Sequence, residues 1–111
     1  MGNFLSTVNS NLNNIFTYSS AKATNVAISS GNVMCYRDGK TVNLSGLFQV
    51  SKSGNVATIP ASYRPKGVIV CSIIKDGGVG CRAHIESDGT INPQNQLETG
   101  VWYTLSTAYV I

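Results

Sequence analysis

The side chains with the widest chemical reach stand near the middle and the end of the chain. His84, the one histidine of 111 residues, lies between Arg82 and Glu86 at two-residue spacing. On a strand, that spacing projects a cation, an imidazole and a carboxylate from one face. A solvated strand face presents such trios routinely, and catalysis asks for more: a nucleophile, a base oriented by a third group, and donors for developing charge. No G-x-S-x-G, H-E-x-x-H, phosphate-binding loop or paired C-x-x-C is present to supply them. The residues therefore read as those of a non-enzyme. Cys35, Cys71 and Cys81 cannot all pair within one chain, and none has a second cysteine or a histidine at metal-ligand spacing. No metal or cofactor is expected. Free thiols are the default, with a Cys71–Cys81 bond across a hairpin as the alternative.

Binding is the better lead. Trp102 falls among Thr104 and Ser106, on the face of the last strand opposite its apolar one. A tryptophan there serves as a subunit contact or as a platform on which a sugar ring stacks. Tyr36, Tyr63 and Arg64 sit near loops and join His84 and Trp102 as candidate receptor contacts. Each of the three could equally cap the fold.

Alternating sequence must position these groups. From Asn25 the apolar period is two, with Ser29-Ser30-Gly31 as a turn signal after Val26 and Ile28. Asp38-Gly39 predicts a two-residue type I′ turn pairing Arg37 with Lys40, Cys35 with Val42 and Val33 with Leu44. Phe48 and Val50 continue the same face, and Gly46 marks a bulge or a close approach. Val56 to Ile59 leads into Ile59-Pro60-Ala61-Ser62-Tyr63-Arg64-Pro65, where two prolines forbid a ladder and stiffen the connection. Gly67 to Ile74 is apolar on both faces, as a strand covered on both sides would be, the second cover being its own fold or a neighbouring subunit. Lys75-Asp76-Gly77-Gly78 and Ser87-Asp88-Gly89 predict the next turns, Asn92 to Gly100 reads as polar loop, and Val101 to Ile111 as a long final strand. Seven or eight short strands without an internal helix predict an all-β domain, an antiparallel β-sandwich of jelly-roll-like spacing.

The first 24 residues differ. Leu5, Val8, Leu12 and Ile15 follow a and d spacing, which predicts a short helical or coiled-coil stem that associates with copies of itself; a disordered start is the alternative. Residues 1–24 then form stem and linker, with Ser19 to Thr24 as the linker, and residues 25–111 the head.

Composition limits the partners. Charged residues make up 12% of the chain, while Ser, Thr and Asn together make roughly 30%. A surface so poor in charge resists aggregation badly unless an interface covers part of it, which predicts an oligomer. The net charge of +3 is scattered, without the basic clusters and interleaved aromatics of a nucleic-acid groove. No run of eighteen apolar residues and no secretory leader is present, so membrane insertion is not expected.

The succession Ile59-Pro60-x-x-Tyr63-Arg64-Pro65, then an apolar strand, then Ile85-x-x-Asp88-Gly89-Thr90-Ile91, then a strand opening with Trp102 and carrying Leu105-Ser106, resembles the C-terminal heads of phage tail fibres and receptor-binding proteins. The likeness runs from Val56 to Ile111. It implies a homotrimer with a fibrous stem ahead of a β-sandwich knob, carried on the virion, made in the host cytoplasm, bound to other tail or fibre proteins and to a host cell-surface polysaccharide. It carries over no individual binding residue. A purely structural fibre-trimerisation domain and a bacterial carbohydrate-binding or adhesion module are the alternative functions.

Overall fold

The computed structural model describes residues 18–111. The described residues are all-β: β1 (Tyr18–Lys22), β2 (Thr24–Asn25), β3 (Ile28–Asp38), β4 (Thr41–Val50), β5 (Ala57–Thr58), a 3-10 turn (Ala61–Tyr63), β6 (Ile69–Lys75), β7 (Gly80–Ile85), β8 (Ile91–Pro93) and β9 (Tyr103–Val110). Seven strands form one curled antiparallel sheet in the order β1-β3-β4-β9-β6-β7-β8. The last strand lies between β4 and β6, so the C-terminal segment is tied into the middle of the sheet.

Alternation decides which side is buried. On β4, Val42, Leu44, Phe48 and Val50 point inward and are sealed from solvent, while Thr41, Asn43, Ser45 and Leu47 point out. Leu105, Tyr103 and Tyr109 continue the inner face on β9, Ile73 on β6, and Ala83 and Ile85 on β7. Burying each large aliphatic or Phe side chain contributes about 1.5–3 kcal/mol. Over this concave face lies a small second layer, the β2–β5 ribbon and the two-proline stretch, with Val56, Ala57, Ile59 and Tyr63 packed on the core. Thr58 bridges to Thr90, and the Ile59 amide donates to the Gly89 carbonyl at 2.8 Å, joining that layer to the β7–β8 turn.

Several local expectations need correction. Ser19 to Lys22 is not linker: it lies within β1, paired along β3 from Tyr18↔Asp38 to Lys22↔Met34. Ser29-Ser30-Gly31 does not reverse the chain, because the register slips between Ile28 and Ser30 and Gly31, at φ +82°, lets β3 run on through the bulge. The β3–β4 hairpin pairs Asp38 with Thr41 and Cys35 with Leu44, with Gly39-Lys40 as its loop. A type I′ turn on Asp38-Gly39 needs positive φ at both residues; only Gly39 has it, at +61°, and glycine at the first loop position is the II′ arrangement. The parity is unchanged, so every side chain keeps its predicted face. Gly46 proves to be a close approach, where an added Cβ would stand 2.8 Å from Val33 Cγ2. The positions Leu5, Val8, Leu12 and Ile15 lie outside the described residues.

Candidate functional site

The five side chains proposed as receptor contacts are not brought together. Tyr36 lies on the outer face of β3 and stacks on Tyr18, ring centroids 6.5 Å apart. His84 lies on β7, four strands away, between Val70 and Asn92. Trp102 opens the approach to β9 at the opposite end of the sheet from Tyr36 and is 38% exposed. Its carbonyl accepts a hydrogen bond from the Asp76 amide at 2.9 Å.

Tyr63 and Arg64 are committed inward. Tyr63 is 7% exposed, its hydroxyl donates to Ser19 Oγ at 2.9 Å, and its carbonyl accepts from the Tyr109 hydroxyl. Arg64 Nε turns back to the Ile59 carbonyl at 2.7 Å, and Arg37 donates to the Ser62 carbonyl at 2.7 Å. The hydrogen bonds of the two-proline stretch tie it to β1, β3 and β9. Burial pushes the Tyr109 phenol above its ordinary range.

The thiols are free. Cys71 pairs with Ala83 and Cys81 with Ile73, which staggers the two sulfurs diagonally on the inner face. Burial, and secondarily the neighbouring Cys81, raises the Cys71 thiol to about 11, and burial alone raises Cys35 to about 11. Neither is an activated nucleophile. Among the described residues no group of three or more His, Cys, Asp or Glu gathers to hold a metal, and no helix is long and apolar enough to cross a membrane.

Two surfaces remain with something to offer. The first is the outer face of the three central strands. Thr41, Asn43, Ser45, Leu47 and Gln49 on β4, Thr104, Ser106, Ala108 and Val110 on β9, and Val70, Ser72 and Ile74 on β6 include no charged residue. Leu47, Thr104 and Ile74 form one cross-strand row, with Val68, Val70 and Trp102 exposed nearby. The second cover expected over the Gly67–Ile74 segment does not come from the described part of this chain: Val70 is 60% exposed.

The second surface is a cleft between the β6–β7 hairpin and the loop before β9. It has a volume of about 200 Å³ and is lined by Lys75, Val79, Gly80, Cys81, Asn95 to Glu98 and Tyr103. Lys75 Nζ lies 3.0 Å from both oxygens of Glu98, and that bond together with the carboxylate's charge holds the ammonium above the ordinary lysine range. The walls are anchored. The Glu98 amide donates to the Tyr103 hydroxyl at 2.8 Å, Tyr103 stacks on Phe48, and the Gln94 amide donates to the Arg82 carbonyl at 2.8 Å. A second, shallower hollow of about 470 Å³ adjoins it along Gln96 to Thr99. Sequence reasoning treated Asn92 to Gly100 as a polar connection only; the available signal was its density of amides, at Asn92, Gln94, Asn95 and Gln96.

No protein-family profile matches the chain, and no curated protein matches it in sequence. Its fold has a solved counterpart. The crystal structure of the receptor binding protein (gp15) of Listeria phage PSA is similar to it with a TM-score of 0.69, at 14% identity, over 99% of this chain and 76% of that one. At that identity the likeness is one of fold.

Proposed function

We propose that this chain is the non-enzymatic head of a phage tail fibre or receptor-binding protein, which assembles as a homotrimer and attaches the virion to a glycan on the host cell surface. The observation that carries the reading is the fold shared, over 99% of this chain, with a phage receptor binding protein. Fold alone hosts many functions, so the surfaces have to agree with it.

They do so in two respects. In a threefold assembly the residues close to the axis sit near their own copies, where any charge meets a like charge. The uncharged outer face of β4, β9 and β6 avoids that cost and exposes Leu47, Ile74 and Trp102 for burial. The occupant proposed for this face is therefore a second and a third copy of the chain, with other fibre proteins joined through the N-terminal segment. The loops at the Trp102 end, which carry the amide-rich cleft, stay free for the receptor.

Light scattering on the intact chain tests the assembly. Three copies of 11.8 kDa should give about 35 kDa. The double substitution Leu47→Asp, Ile74→Asp should return the mass of one copy with the β circular-dichroism signal retained. A clean monomer for the unsubstituted chain at micromolar concentration would sink the trimer. The runner-up, a structural domain that only registers a fibre, shares the outer face; it predicts the same mass and no adsorption to any bacterial surface.

A further inference from the structure

We infer that the cleft between the β6–β7 hairpin and residues 94–99 is the receptor subsite, and that it takes one ring of a neutral, hydroxyl-rich sugar. The inference rests on the receptor-binding reading and goes beyond it in naming the place and the ligand's charge class.

Size comes first. Clefts for drug-sized ligands run to about 300–1,000 Å³. At about 200 Å³ this one suits a single sugar ring, and the adjoining hollow along Gln96 to Thr99 lets a glycan continue past it. Chemistry comes second. Asn95 and Gln96 are exposed at the rim, and each amide both donates and accepts. Lys75 and Glu98 add a donor and an acceptor side by side, 3.0 Å apart. Vicinal hydroxyls can bridge such a pair, one accepting from the ammonium and the next donating to the carboxylate. Val79, 70% exposed, offers the apolar contact that the C–H face of a sugar needs.

Charge comes third and decides the class. Lys75 and Glu98 neutralise each other inside the cleft, and no second basic residue lines it. An anionic sugar would have to take Lys75 from its partner and would face the freed carboxylate. A neutral sugar uses both groups as they stand. Preorganisation comes fourth: Glu98 is held through Tyr103, and the hairpin through the Asp76 amide bond to Trp102, so little ordering remains to be done on binding.

The test uses the intact, isotope-labelled chain and a panel of methyl pyranosides: glucoside, galactoside, mannoside, rhamnoside and N-acetylglucosaminide as neutral probes, sialic acid and glucose 6-phosphate as anionic ones. At least one neutral probe, at tens of millimolar, should shift the amide resonances of Val79, Gly80, Asn95, Gln96 and Glu98. The double variant Asn95→Ala, Gln96→Ala should weaken that binding about fivefold or more. The inference is overturned if no neutral probe moves these resonances, if the shifts map to another surface, or if an anionic probe binds more tightly than every neutral one. Adsorption of the labelled chain to a panel of bacterial cells separates the two levels. Adsorption unchanged in the folded double variant overturns the subsite and leaves the receptor reading standing; no adsorption by the unsubstituted chain overturns the receptor reading itself.

Discussion

The two connections at opposite ends of the sheet both carry long polar side chains and put them to opposite uses. In Ile59 to Pro65, the tyrosine and the arginine turn inward: Tyr63 bonds to Ser19, receives Tyr109 on its carbonyl, and Arg64 holds Ile59. In residues 94–99, Asn95, Gln96 and Glu98 turn outward from a backbone fixed by Tyr103 and Arg82. One loop is part of the fold, and the other is carried by it. Loops that bind are positioned by a rigid scaffold, and the scaffold here includes the first loop.

Stability measurements can break that contrast. The largest loss is expected for Gly89→Ala, because Gly89 has φ +90° and an added Cβ would collide with the Ile59 carbonyl. Strained backbone of that kind costs about 1–3 kcal/mol before the collision is counted, so chemical denaturation should show a sharply lowered midpoint. Tyr109→Phe should cost about 1–3 kcal/mol, since it strips the buried Tyr63 carbonyl of the hydroxyl that satisfies it. Tyr63→Phe, which removes only the part-buried bond to Ser19, should cost about 0.5–1.5 kcal/mol in the same assay.

The smallest effects should come from exposed groups. Asp88 accepts from the amide and hydroxyl of Thr90, at 3.0 and 2.8 Å, and these bonds hold its carboxyl below the ordinary range. A carboxylate with a depressed folded-state pKa contributes stability above its unfolded value and loses it as pH falls through the folded one. The midpoint difference between the native chain and Asp88→Ala should therefore be present at neutral pH and shrink in acid below pH 4. Glu98→Gln should leave the midpoint where it was, because its bond to Lys75 is an exposed pair. A destabilised Glu98→Gln, or a Tyr63→Phe as stable as the native chain, would erase the distinction between the loops.

The same contrast explains what the sequence could tell. Period-two alternation assigns the inner faces of β3, β4, β7 and β9 as the structure has them, because burial on one side of a sheet imposes that period directly, whereas β6, apolar on both faces, gives no choice between them. The Ser87-Asp88-Gly89 turn was legible for a local reason: its glycine takes positive φ, and the Glu86 amide closes it on the Thr90 carbonyl. The roles of Tyr63 and Arg64 were not legible from sequence alone. The partners of Tyr63 lie 44 and 46 residues away, and nothing in the local spacing says that they will meet. The cleft was missed for a related reason, since it exists only where β9 brings residues 94–99 against the β6–β7 hairpin. The β1 pairing was missed because Ser19 to Lys22 carries no apolar alternation; backbone bonding to β3 makes it a strand.

Adsorption to intact bacteria bears most directly on the proposed function. Fluorescently labelled chain, incubated with a panel of bacterial strains before and after periodate oxidation of their surface sugars, should bind at least one strain and lose that binding once the vicinal diols are cleaved. Failure to bind any strain, or binding that survives periodate undiminished, would contradict a head that attaches through a host glycan.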